Sequence, residues 1–346
     1  MTSRQTEQHL QRLGFRPPSR ALLEKRIIGM FDDMAVVARE LEDHCREVEA
    51  LDFELNAISC GLDRFAVQMD ETLPDGPERD QKLEQRRPAD EYMRTPPDPY
   101  TRRWRMAWAG NVTLYDSAGQ SRHTFRYGTS ADGDATALVA RMVDDIEALT
   151  RTRQGVTVCC IQDGAADLDS LRRALDERLP PDVPRRDLVD LHHAVSYLDA
   201  IVSAKGDGDP HDMAGWYRLK LLLDDQGSAH IVGHLRRELA GHREHQDEQE
   251  DDEDVGARLR EALTYFDKRR SQMAYARARA ANLPVASGAT ESTCSLFQLR
   301  VKHPGSHWGT RGLRGVMTAR GLDLSNRWDS AFYAHHTTLR EQVLAA

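Results

Sequence analysis

The pattern of apolar residues predicts an α/β protein on a mixed sheet, and three consecutive observations carry that prediction. Residues 104–115 and 121–127 read as two strands joined at Asp116-Ser117-Ala118-Gly119, which has the chemistry of a tight turn, so this stretch is a β-hairpin. Residues 137–149 then place Leu138, Met142, Ile146 and Leu149 on one helical face. The apolar run 156–161 follows and stops at Gln162-Asp163-Gly164. A helix that delivers a strand in this way is the crossover of a βαβ unit, and functional residues collect in loops at the carboxyl ends of such strands. Asp163 stands at such an end.

Around these elements the chain falls into four segments. In residues 1–56, the side chains of Leu22, Leu23, Ile27, Ile28, Phe31, Met34, Val37, Leu41 and Val48 recur at helical spacing from about 20 to 54. Pro17-Pro18 breaks the chain ahead of them, and Ser19 is placed to cap the helix. Residues 57–200 begin with a short buried strand at 57–67, interrupted by Asp63, followed by a proline-rich exposed loop over 70–100. After Asp163 the pattern is helical almost to the end, over 168–178, 188–204, 212–239 and 255–281, then from Glu291 and from Trp308 onward. The segment 201–283 is thus all-helical, and an acidic run at 244–254 reads as a solvated, mobile connection between two of its helices. Residues 284–346 complete the chain.

Composition narrows the function. The 346 residues suffice for roughly two domains, or for one core with a large insertion. Charged residues make up 30% and no apolar run approaches the ~18 residues of a membrane span, so no membrane partner is expected. No secretory pattern opens the chain, which predicts a cytoplasmic protein. Cys45, Cys60, Cys159, Cys160 and Cys294 have no metal-ligand spacing and are expected to be reduced thiols, without structural zinc. The net charge of −9 argues against a nucleic-acid partner only until it is counted by segment. Eight acids lie within 244–254, whereas residues 292–346 hold seven Lys and Arg against three Asp and Glu.

Three acids stand out. Asp63 sits inside an apolar strand, where a carboxylate is costly unless a cation pairs with it. Asp163 repeats the arrangement at the end of a second strand, and Glu291 opens a helix after Ser287-Gly288-Ala289-Thr290. Carboxylates converging from separate elements make an oxygen-ligand site suited to Mg²⁺ or Mn²⁺. Two such ions, about 3.5–4 Å apart, would activate an attacking hydroxyl and stabilise a leaving oxygen in phosphodiester chemistry. Taken singly, each acid is more often a turn former or a helix cap.

Read together, five blocks resemble one family: GLDRFAVQMDE (61–71), AGNVTLYDSAGQSRHTFRYG (109–128), CIQDGAADL (160–168), DLVDLHHAVSYLDA (187–200) and ASGATESTCSLFQLRVKHPGSHWGTRGLRGVMTARGLDLSNRWD (286–329). They look like consecutive blocks of bacterial insertion-sequence transposases of the Kra group, which are similar to Mutator-type DDE transposases. The resemblance implies an RNase H-like core with flanking helices, a triad of metal-binding acids holding two Mg²⁺ or Mn²⁺ ions, and DNA cleavage followed by strand transfer. It assigns Asp63, Asp163 and Glu291 as that triad, with Asp116 as the rival for first acid. The 128-residue step from Asp163 to Glu291 would then hold a helical insertion.

Asp190 and His193 resemble the (C/D)xxH motif of Mutator-like enzymes, and the plainer reading is an Asp and a His satisfying each other's hydrogen bonds beside the core. Arg300, Lys302, His303, His307, Trp308 and Arg311 surround a Pro304-Gly305 turn and, beside such a site, would contact DNA phosphates. Trp216, Leu219 and the Trp328-Asp329 pair read as structural. By the resemblance, residues 1–56 are a shortened DNA-binding region, the partners are transposon ends and target DNA, and the active form is a homo-oligomer. Two rival readings keep parts of this picture: an inert remnant that still binds DNA, and an RNase H-like nuclease that cuts without joining.

Overall fold

The computed structural model describes residues 20–85, 98–131, 135–164, 169–205, 210–244 and 252–345. Helices α1 (Arg20–Val36) and α2 (Ala38–Val48) come first, then strand β1 (Ala57–Thr72), a short helix α3 (Pro77–Glu84), the hairpin β2 (Tyr100–Tyr115) and β3 (Ser121–Gly128), helix α4 (Thr136–Thr152), and strand β4 (Thr157–Gln162). Helix α5 (Asp169–Arg178) leads to strand β5 (Arg185–Val189). Helices α6 (Leu191–Lys205), α7 (Pro210–Leu223), α8 (Gly227–Glu244), α9 (Asp252–Arg269) and α10 (Tyr275–Ala280) follow, and α11 (Gly288–Val301), α12 (Thr310–Leu324) and α13 (Trp328–Ala345) close the chain. Among the described residues no helix is long and apolar enough to cross a membrane.

The strands form one mixed sheet in the order β3-β2-β1-β4-β5. β1 is antiparallel to β2 along its whole length but parallel to β4 only from Ala57 to Cys60, and β4 is parallel to β5. Successive side chains of a strand face opposite sides, and this sorts β1 into two cores. Ile58, Cys60 and Leu62 pack with Leu138, Met142 and Ile146 of α4 on one side. Phe65, Val67 and Met69 pack with Phe297 and Val301 of α11 and Leu313 and Met317 of α12 on the other. Asp63 belongs by this alternation to the face that α11 covers. A separate apolar cluster, including Leu198, Ile231, Leu235, Leu259 and Phe266, holds α6, α8 and α9 together.

The N-terminal helices are bound to the body of the protein. Met34, Leu41 and Cys45 are buried against Leu322 and Ala331. Beneath them lies an ionic network: Arg327 holds Glu49 at 2.6 and 2.7 Å and Asp145 at 2.5 Å, while Arg46 and the Tyr127 hydroxyl also reach Asp145. Arg141 pairs with Glu42 beside it.

Several elements differ from the sequence expectation. β1 runs five residues past 67, because its partner β2 begins at Tyr100 and both continue as a two-stranded ribbon; the expected loop over 70–100 is therefore strand at both ends and contains α3, with 86–97 outside the described residues. The helix expected from 188 begins instead at Leu191, after β5. β5 is an edge strand whose only buried residues are Leu188 and Val189, so its sequence carries no strand-length apolar run. The helix expected over 212–239 breaks at a turn where Asp224 accepts the Gln226 backbone N–H at 2.9 Å. That over 255–281 ends at Arg269, and a short 3₁₀ turn, Arg270–Gln272, precedes α10. The expected helix over 20–54 is two helices ending at Val48, and the proposed Ser19 cap lies outside the described residues, as does 245–251 of the acidic run.

Candidate active site

Register brings the first two acids together. Cys60 of β1 is level with Cys160 of β4, and three residues further along each strand stand Asp63 and Asp163. Both therefore lie just past the parallel pairing of the two strands, Asp63 within β1, which continues to Thr72 beside β2, and Asp163 immediately after the end of β4 at Gln162. The third acid arrives on α11, whose first turn carries Glu291. All three line one cleft of about 340 Å³, together with Asp190, His193 and Ser287.

The placement of α11 depends on residues far apart in sequence. Gly61 leaves room for it, since a Cβ there would stand 2.1 Å from the Thr290 hydroxyl and 2.9 Å from the Ile161 carbonyl. Thr290 in turn donates to the side-chain carbonyl of buried Asn111 on β2 at 2.6 Å. Asp190 secures the loop before the helix. It is 1% exposed; its Oδ1 accepts the His192 backbone N–H at 2.7 Å as the N-cap of α6, and its Oδ2 accepts the Ser287 hydroxyl at 2.6 Å and backbone N–H at 3.1 Å. The bond expected between Asp190 and His193 exists only as a long contact of 3.5 Å to the His193 backbone N–H, and the imidazole instead packs edge-on against Tyr197 and Tyr265.

Burial pushes the Asp63 carboxyl above the usual carboxylate range; the Arg64 backbone N–H at 2.7 Å and the Cys294 thiol at 3.5 Å pull it back, and the charge of Asp163 pushes it up again. Cys294 lies one turn beyond Glu291 on α11, and burial together with the charges of Asp63 and Glu291 drives its thiol far up, which keeps it a neutral donor. Gly164, which follows Asp163 after β4, is equally constrained. Gly164 has φ of 88°, and a Cβ there would collide with the Arg269 side chain, which bonds to the Gly164 carbonyl.

The remaining candidates are spread elsewhere. Asp116 directly follows Tyr115 at the end of β2, which pairs with Ala57 at the start of β1, roughly 20 Å along the strand from Asp63. It accepts the Ala118 and Gln120 backbone N–H groups at 3.0 and 2.9 Å and forms the hairpin turn. Trp308 pairs its backbone with β1 through Gln68 and Asp70 and donates its indole N–H to the Val301 carbonyl at 2.9 Å. His307 is paired with Asp70, and Arg311 with the buried Asp32 at 2.6 Å. Arg300, Lys302 and His303 are exposed, and among the described residues none of them forms an ion pair; Lys302 lies over the Phe65 ring at 5.8 Å.

The three lining acids supply only oxygen donors, the chemistry that suits Mg²⁺ or Mn²⁺. Among the described residues no group of three or more His, Cys, Asp and Glu stands close enough to hold an ion as the side chains now lie. Sequence reasoning did not reach Gly61, Asn111, Ser287, Thr290 or Cys294, although a buried Asn inside an apolar strand is the kind of costly residue that had already drawn attention to Asp63. No family model matches the chain, and no curated protein matches it.

Proposed function

We propose that this chain is an insertion-sequence transposase of the DDE kind, with an RNase H-like core interrupted by the helices α6–α10. The observation that carries the reading is the cleft itself: Asp63, Asp163 and Glu291, separated by as many as 228 residues, line the same 340 Å³ space just past the parallel pairing of β1 and β4. The strand order, with β1 between the hairpin and β4, supports the same reading.

Asp63, Asp163 and Glu291 would hold the cations. Two Mg²⁺ or Mn²⁺ ions bound there would supply the positive charge that activates a hydroxyl and stabilises a leaving oxygen in an in-line displacement at phosphorus. The residues of the chain do the positioning. Asp190 anchors the loop before α11 through Ser287, Thr290 pins the helix to Asn111, and Cys294 holds one Asp63 oxygen so that the other accepts the Arg64 N–H. Arg300 and Lys302, exposed at the end of α11, are placed to meet phosphates.

The test is cleavage of duplex DNA by the purified chain with Mg²⁺ or Mn²⁺, followed by joining of a 3′-hydroxyl end to a plasmid. Asp163→Asn should abolish cleavage and leave DNA binding in place. Cleavage without joining reduces the protein to an RNase H-like nuclease, and binding without either reduces it to a DNA-binding remnant.

A further inference from the structure

A second pocket, of about 480 Å³, opens directly beside the acid cleft and shares Asp163 and His193 with it. Its other wall is α9, which places Arg260 and Lys268 there, and its apolar surface is the pair Tyr197 and Tyr265, whose rings stack at 4.1 Å and 22°. The pocket is rigidly built. The Tyr265 hydroxyl donates to the Asp163 backbone carbonyl at 3.0 Å, and Arg269, lying over the Tyr265 ring at 4.7 Å, bonds to the next carbonyl at Gly164. α9 is therefore fastened to the backbone of Asp163, a candidate catalytic acid, and of Gly164 beside it.

We propose that this pocket seats one unpaired nucleotide of the strand whose phosphodiester lies over the acids, its base against the tyrosine pair and its phosphates against Arg260 and Lys268. The inference rests on the reading of the acid cleft given above and names the form of DNA which that cleft takes.

Three observations carry it. The volume lies within the range of small-ligand sites, about 300–1,000 Å³. Arg260 and Lys268 are exposed, and among the described residues neither forms an ion pair, so their charge is available to phosphate. Glu261 also faces the pocket, but with Arg269 the α9 wall still carries three cations against one anion. Tyr197 is half-buried although it stacks on a buried partner, which leaves aromatic surface to receive a base. Stacking on a side chain requires a base face that a continuous duplex keeps covered, so the nucleotide that fits is unpaired.

The probe is a short single-stranded oligonucleotide carrying 2-aminopurine, titrated with the full chain in a metal chelator so that no cleavage intervenes. Binding should quench the fluorophore, and the matching fully paired duplex should bind more weakly and show no quenching. Tyr197→Ala should abolish the quenching and weaken binding about tenfold, while Tyr197→Phe retains both. Arg260→Gln and Lys268→Gln should each flatten the dependence of log affinity on log salt by roughly 0.7 without removing the quenching of bound probe. Thermal melts of the variants identify any that fail to fold, and Tyr197→Phe provides the folded comparison.

Equal binding and quenching by wild type and Tyr197→Ala would overturn the proposal, as would equal quenching by paired and unpaired probe. A separate cleavage assay with Mn²⁺ isolates the underlying reading. Cleavage that is insensitive to the pocket variants removes the nucleotide seat and leaves the acids; quenching without any cleavage keeps the seat and removes the catalytic assignment.

Discussion

Two clusters of carboxylates in this molecule are treated in opposite ways. Around Arg327, which is 2% exposed, Asp145 and Glu49 face guanidinium groups, with Arg46 and Tyr127 completing the satisfaction of Asp145. In the cleft, Asp63 accepts, among the described residues, a backbone N–H and a thiol, and the charge of Asp163 raises the cost of its own. The first arrangement matches charge with charge and ties α2, β3, α4 and the start of α13 into one body. The second brings carboxylates to one cleft with no guanidinium opposite Asp63 among the described residues, and under the function proposed above a bound cation would supply the compensating charge.

The comparison can be broken most directly at the cleft. Asp163→Asn, or Glu291→Gln, should reduce metal-dependent DNA cleavage by at least about a thousandfold while the melting temperature hardly moves; retained cleavage ends the assignment. At the matched cluster the expectation reverses. Arg327→Met strands Asp145 and Glu49 and should cost about 3–5 kcal/mol in urea denaturation. A loss below about 1 kcal/mol would mean the network is not the clamp it resembles.

Asp190 stands between the two cases, since it stabilises the fold and also sets Glu291. Asp190→Ala should cost about 1–2 kcal/mol through the lost N-cap and the lost Ser287 bonds, and should lower kcat. Asp190→Asn, which keeps an acceptor for the cap, should recover most of the stability. A variant that is destabilised but turns over normally would show that the loop holds itself.

Asp63→Asn should make the protein more stable at neutral pH. The folded state raises the Asp63 pKa, so it holds a proton more tightly than the unfolded chain does. Below the ordinary carboxylate range both states are protonated and the penalty vanishes. As pH rises through that range and past the raised folded value, the penalty develops fully. The melting-temperature gap between variant and wild type should therefore open with rising pH and close in acid; a gap independent of pH contradicts this account. The smallest effect is expected at Asp116, whose side chain serves the hairpin turn: Asp116→Asn should leave cleavage unchanged within assay error.

The hairpin, α4 and β4 were legible because local signals coincide there. The hairpin has a turn tetrad between two strand-like runs, α4 has one apolar face, and β4 is an apolar run closed by Asp163. β5 was not legible because it contributes only two buried residues to an edge of the sheet. The basic turn after α11, a solvated turn by default, was read as a phosphate surface through the family resemblance, yet Trp308 and His307 are engaged with β1 and Arg311 with α1. The same residue types at the same spacing serve packing or binding according to what lies opposite them.

By itself the sequence determined which segments are strands and helices wherever one apolar period runs long enough, and it singled out three carboxylates, two at apolar strands and one at a helix start. Those are local properties, decided by side-chain period and by the price of desolvating a charge. Only the tertiary structure decided that Asp63 and Asp163 line one cleft just past the pairing of β1 with β4, that Thr290 reaches Asn111 from 179 residues away, and that Asp190 fastens Ser287. It also decided that α9 brings Tyr265, Arg260 and Lys268 to the edge of the same cleft. These contacts depend on strand register and helix packing, which are set by the whole core at once and leave no periodic trace along the chain.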